Sequence, residues 1–201
     1  MGKVAFLFAG QGAQHPGMGA GIAAASPAAR AVFDAADSVR PGTFEQCCQG
    51  TKEELSQTEN TQPCVFATDL ACARALEERG VEPDVVAGFS LGEVAALTFA
   101  GAFSAKKGFE LVCRRAELMA AAASSHPGAM RAVVKLDAAR VEELAAEVAC
   151  QADGDCWPVN YNSPMQTVVA GSPTACEKLD ELVREAGGRA MKVAVSGAFH
   201  S

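Results

Sequence analysis

The chain has no apolar run long enough to cross a membrane. Its longest early run, Val4 to Ala9, is too short for the core of a secretory signal, and Phe6 stands where an N-terminal myristoylation signal requires Ser or Thr. A cytoplasmic location with no membrane partner is the expectation. Runs of like charge are also missing. With 17 Lys and Arg against 24 Asp and Glu, the net charge of −7 favours solubility and argues against a general nucleic-acid surface. There is no Cys-x-x-Cys pair among the eight scattered cysteines, so they read as buried, reduced thiols acting as small hydrophobes. Neither a disulfide framework nor a metal site is expected. Histidine is scarce: only His15, His126 and His200 are available for imidazole chemistry.

What is present is core-forming. With 49% hydrophobic and 20% charged residues in 201, the chain can bury a substantial interior in one or two domains. Residues 3–9 read as a strand, followed by the glycine-rich loop 10–17. Ser26-Pro27 then supplies the cap and first-turn proline of a helix through Val39. Thr51-Lys52-Glu53-Glu54 is a capping box. A helix is expected from Pro63 to Glu78, a strand at 85–88, a helix at 91–100, and another from the Ser104 cap to about Ala123. Breakers at 124–128 place a domain boundary at residue 126, giving a first domain of 1–126. Residues 127–195 then read β-α-β-β-α-β, the ferredoxin-like order, with a hairpin turn at Asn162-Ser163-Pro164. Residues 196–201 form a segment returning to the first domain.

Gly88-Phe89-Ser90-Leu91-Gly92 lies between an apolar strand and an alanine-rich helix, the setting of a nucleophile elbow. Glycines on either side permit a turn that lifts the serine hydroxyl to the rim of a parallel sheet. Serine needs a base to attack at neutral pH. His200, late in the chain, suits that role best of the three histidines. An oxyanion requires two fixed donors; the Leu91 amide is one, and the Gln11 amide, between two glycines, is the second candidate. A dinucleotide fingerprint fails in the same loop because His15 occupies the third glycine position. Arg115 has Leu111, Val112, Leu118 and Met119 at helical neighbour positions, so its charge calls for a nearby carboxylate. That carboxylate belongs either to a structural Asp or Glu or to a substrate.

These residues resemble the malonyl-CoA:acyl carrier protein transacylases. The match runs through Phe-Ala-Gly-Gln-Gly at 8–12, Thr-Gln-Pro at 61–63, Gly-Phe-Ser-Leu-Gly-Glu at 88–93, Arg115, Asn-Tyr-Asn-Ser-Pro at 160–164 and Gly-Ala-Phe-His-Ser at 197–201. The resemblance implies an α/β, hydrolase-like acyltransferase large domain with an inserted ferredoxin-like small domain. It implies that Ser90 takes malonyl from malonyl-CoA and hands it to an acyl carrier protein in fatty-acid or polyketide synthesis, with no cofactor beyond the thioester. His200 would be base and acid, Arg115 the malonyl anchor, and Gln11 and Leu91 the oxyanion donors. Gln62 would line the pocket, and Phe199 would restrict space beside the acyl α-carbon. Phe89 departs from the histidine common before the serine. The family also continues for about another third of its length beyond its histidine, so the chain is expected to be a truncated transacylase. A serine esterase or thioesterase, and a non-catalytic fragment retaining a docking surface, are the alternatives.

Overall fold

The computed structural model describes residues 2–151, 155–195 and 197–201. It divides into two compact units, Met1–Leu118 and Met119–Ser201. The division falls inside a continuous helix, whereas the breaker cluster that set the sequence boundary begins at its end.

The first unit opens with strand β1 (Ala5–Phe8), followed by helices α1 (Ala20–Ala25), α2 (Pro27–Val39), α3 (Thr43–Gln49), α4 (Lys52–Leu55) and α5 (Thr58–Glu78). Strand β2 (Val85–Gly88), helix α6 (Leu91–Phe99) and helix α7 (Ala105–Ser125) follow, α7 continuing into the second unit. The caps are those the sequence implies. Ser26 Oγ accepts from the Ala29 amide, and Thr51 and Glu54 close their capping box reciprocally. Strands β1 and β2 pair in parallel with Phe8 opposite Gly88, so both strands deliver their following loops to the same end.

Helix α5 starts at Thr58, not at Pro63 as the sequence suggests. Proline here sits inside the helix, where it removes an N–H bond to the carbonyl four residues back. The turn before it is fastened independently: the Thr61 amide donates to the Gln57 carbonyl at 2.8 Å, and the Thr61 hydroxyl bonds the Leu55 and Gln57 carbonyls. Residues 61–67 are buried without interruption, which makes α5 the central helix of this unit. Phe66 and Leu70 pack there in one core with Phe6, Phe8, Phe33, Leu91 and Phe109. Each such side chain contributes about 1.5–3 kcal/mol by leaving water.

One face of the β1–β2 pair remains open. Exposure alternates along β1, leaving Leu7 80% exposed, and Val85 on β2 is 54% exposed. Between β1 and α5 runs a cavity of about 220 Å³ lined by Leu7, Asp69, Cys72 and Leu76 among others. The Asp69 carboxyl faces this cavity near the Ala9 backbone, and its Oδ2 is buried without a partner.

The second unit comprises β3 (Ala129–Val134), α8 (Ala138–Gln151), β4 (Cys156–Ser163), β5 (Gln166–Gly171), α9 (Pro173–Glu185) and β6 (Arg189–Lys192). Its sheet is antiparallel in the order β4-β5-β3-β6, the ferredoxin-like topology. The hairpin turn differs from the expected Asn162-Ser163-Pro164. Register shifts at Pro158/Asn160 and Tyr161/Ser163 let β4 pair through Ser163, leaving Pro164-Met165 as the two-residue turn. Val133, Val169, Leu144 and Leu179 fill the core between the sheet and α8 and α9. Within this layer Arg131, 4% exposed, holds both Asp180 oxygens through Nε at 2.8 and 3.0 Å.

Six of the eight thiols are buried or half-buried, but Cys72 and Cys150 are exposed, contrary to the uniform burial expected. Among the described residues, no helix is long and apolar enough to cross a membrane, and no group of three or more His, Cys, Asp or Glu side chains could hold a metal ion.

Candidate active site

The chain passes from β2 through Phe89 into Ser90, whose backbone adopts φ 55° and ψ −105°, a strained conformation for a residue with a side chain. This is the geometry of a strand-to-helix elbow, with Ser90 as the residue before α6. Both flanking glycines are sterically required. A Cβ on Gly88 would overlap the Gly92 carbonyl, and one on Gly92 would overlap the carbonyls of Phe8 and Ala9. The first turn of α6 is thus pressed against the exit of β1.

That exit carries the glycine-rich loop. The Ala13 amide bonds the Gly10 carbonyl at 3.4 Å, closing a turn with Gly12 at φ 115°. The Gln11 side chain donates Nε2 to Thr58 Oγ1 at 3.4 Å, tying the loop to the start of α5. Thr58 escapes a sequence reading that begins this helix at Pro63. Among the described residues, no acceptor is placed for the backbone N–H of Gln11 or of Leu91. The parallel register brings these two unspent donors to one end of the strand pair.

Arg115 reaches into this region from α7. Its Nη1 donates to Gln62 Oε1 at 2.5 Å and its Nη2 to Ser90 Oγ at 3.1 Å. Gln62 is fully buried on α5. Burial pulls the Arg115 pKa below its ordinary value, opposed by the charge of Glu93, and the guanidinium remains cationic. Of the two carboxylates the sequence allowed for, the structural one is not found: among the described residues, Arg115 has no ion pair within 4.0 Å and bonds neutral partners instead. A half-buried cation held by an amide and a hydroxyl is a ready receptor for an external anion.

His200 and Phe199 lie in the second unit. Phe199 packs with Ala198 against Met130, Val168 and Ala170 on the sheet face opposite the helices. Gly128 lets the Ala198 backbone approach closely, and the Ser201 hydroxyl donates to the Ala198 carbonyl at 2.6 Å. His200 is exposed, with φ 68°. Together with Ser90 and Lys135 it makes up the non-glycine residues of positive φ among those described, so two of the three are candidates for the chemistry. Ser196, first residue of the expected return segment, lies outside the described residues.

A strained serine between β2 and α6 thus stands with two unspent amides on neighbouring loops and a cation on its oxygen, an elbow with hydrogen-bond donors beside it. The sequence matches the acyl transferase domain family over residues 5–201, and the chain belongs to that family. It is 39% identical over 204 residues to the malonyl CoA-acyl carrier protein transacylase of Bacillus subtilis (strain 168), and 35% identical over 199 residues to that of Synechocystis sp.. These alignments take in 100% and 99% of this chain and 64% of each relative, so the chain spans about 64% of their length. The solved malonyl CoA-acyl carrier protein transacylase of Clostridium perfringens superposes with a TM-score of 0.92 at 36% identity, covering 99% of this chain and 63% of that one. A malonyl-transacylase solved in complex with a type II PKS acyl-carrier protein gives 0.90 at 36% identity, covering 98% and 64%.

Proposed function

We propose that the chain carries the site that moves a malonyl group from malonyl-CoA to the phosphopantetheine thiol of an acyl carrier protein, in fatty-acid or polyketide biosynthesis. The observation that carries this reading is the Arg115 guanidinium 3.1 Å from Ser90 Oγ. In a malonyl ester of Ser90 the free carboxylate carbon lies three bonds from Oγ, roughly 4 Å away by ordinary bond lengths. The cation is therefore placed for a group that carries its own carboxylate, and it offers nothing to a neutral ester.

In the proposed mechanism His200 takes the Ser90 proton as Oγ forms its bond to the thioester carbonyl carbon. The oxyanion is held by the amides of Gln11 and Leu91. As the carbonyl reforms, the C–S bond breaks and His200 returns the proton to the departing coenzyme A thiolate. The carrier thiol then repeats the sequence in reverse: it loses its proton to His200, attacks the malonyl-serine, and releases the Ser90 hydroxyl. Gln62 orients the Arg115 fork, and Phe199 limits bulk at the acyl α-carbon. Both half-reactions are acyl exchanges at one oxygen, so neither a metal nor a redox cofactor has a part in them. In this reading residues 1–126 and 196–201 belong to one acyltransferase domain, and 127–195 are its ferredoxin-like insert.

Intact-protein mass spectrometry after brief mixing with malonyl-CoA tests the proposal. The expected result is one malonyl adduct that is absent in Ser90→Ala. An adduct that persists in Ser90→Ala, or none in the parent chain, overturns it for this polypeptide.

A further inference from the structure

Phe89 is unusual in being a large aromatic that is 49% exposed yet sits one residue from the nucleophile. Its amide donates to the Phe8 carbonyl at 3.1 Å, which carries the parallel ladder one step beyond β2 and puts the side chain over the exit of β1. There it meets Gly10. A Cβ built on Gly10 would stand 2.6 Å from the Phe89 ring carbon Cδ1 and 2.7 Å from the Phe89 carbonyl oxygen. Gly10 is buried although Gly12 and Ala13 beside it are exposed. Phe89 is not among the residues of the first unit's core, so filling the interior does not explain it.

We infer that Phe89 is a positioning residue whose ring clamps the Gly10 peptide and thereby fixes the direction of the Gln11 N–H. The Gly12 amide, on the far side of Gln11, donates to Gln14 Oε1 at 2.8 Å, but nearer Gly10 the loop is held only by a turn bond of 3.4 Å and a side-chain bond of 3.4 Å to Thr58. With glycine on both sides of Gln11 and only long bonds near Gly10, the Gly10–Gln11 peptide needs a steric stop to hold its amide still. The ring supplies it from the same turn that carries Ser90, so nucleophile and donor are set by one backbone segment.

This inference rests on the proposed oxyanion role of Gln11, and two readouts separate the two ideas. The first is the ¹⁵N order parameter of the Gln11 and Gly12 amides in the full chain. It should be near ~0.85 in the parent, fall below ~0.6 in Phe89→Ala and recover in Phe89→Tyr. The second is single-turnover malonyl loading of Ser90. Phe89→Ala should slow it about tenfold to a hundredfold, a fraction of what outright loss of an oxyanion donor costs, with the malonyl-CoA concentration for half-maximal rate unchanged. Phe89→Leu, which keeps apolar bulk, replaces the alanine variant if that spectrum is not native, and it should give an intermediate order parameter. Unchanged order parameters overturn the inference, as does a loss expressed only in the half-maximal concentration, which would mean that the ring touches substrate. If the parent chain takes no malonyl, the proposed function fails and the order parameters alone decide the role of Phe89.

Discussion

Arg115 donates to the oxygen of Ser90, so the serine hydroxyl hydrogen is left to be given elsewhere, and negative charge arising on that oxygen would be met by a cation. The same guanidinium is braced by Gln62, a buried amide that cannot neutralise it. Under the proposed function that charge is left for the carboxylate of the acyl group. Arg115→Ala should lower the rate of malonyl loading by about tenfold to a hundredfold, the worth of a charge-assisted bidentate pair, and affect acetyl loading far less. Paired single-turnover rates with malonyl-CoA and acetyl-CoA decide it; equal losses would remove the carboxylate-anchoring role.

Gly92→Ala should be among the most damaging single changes in the first unit. The added methyl meets the Phe8 and Ala9 carbonyls, which belong to backbone and cannot rotate away. Overpacking of this kind costs about 1–3 kcal/mol or more. Urea denaturation followed by circular dichroism should show the lowered midpoint, and Gly12→Ala, where nothing stands nearby, should cost less and only through its positive φ.

Asp69 predicts a pH dependence of stability. Burial pushes its carboxyl from 3.8 up to about 7, partly offset by the Ala9 amide. In the unfolded chain the group ionises near pH 4, in the folded chain only near 7. Stability linked to it is thus complete below about pH 4 and is lost as pH rises to about 7. Asp69→Asn keeps the shape of the side chain and removes the titration. At pH 7.5 it should be more stable than the parent by on the order of 2–4 kcal/mol, with the difference vanishing near pH 4. Urea midpoints at the two pH values measure this.

In the second unit, Asp180→Ala strands the Arg131 guanidinium, whose side chain is 5% exposed. Removal of one partner of a buried pair costs about 3–5 kcal/mol, here toward the lower figure because Asp180 is 34% exposed. Trp157, on β4, is the single tryptophan of the chain, so its fluorescence reports this unit alone. The fluorescence transition in urea should shift to lower concentration, and Arg131→Met with Asp180→Leu together should recover most of the loss.

Local signals were legible in the sequence. Ser26, the Thr51–Glu54 box and the elbow glycines each act within a few residues, and the structure places them as their spacing implies. Pro63 misled because its usual meaning, the first turn of a helix, was overridden by Thr61 bonding backward and by burial on every side. The hairpin turn moved because two register shifts lengthened β4, a matter of pairing with β5 that no run of residues announces. Arg115 was visible as a charge on an apolar stripe. The resemblance put Gln62 in the pocket, but its pairing with Arg115 was not legible, the two being 53 positions apart and Gln62 an amide where a carboxylate was expected. The Phe89–Gly10 contact was hidden for the same reason.

The open face of β1 and β2 has a thermodynamic signature. Leu7 and Val85 are already hydrated in the native state, so unfolding exposes little new apolar surface there. Heat capacity rises on unfolding in proportion to newly exposed apolar area, at roughly 0.45 cal/K/mol per Å². A chain with this face uncovered should have a smaller heat-capacity increment than its length suggests, and hence a flatter curve of stability against temperature. Covering the face would steepen that curve and deepen its maximum.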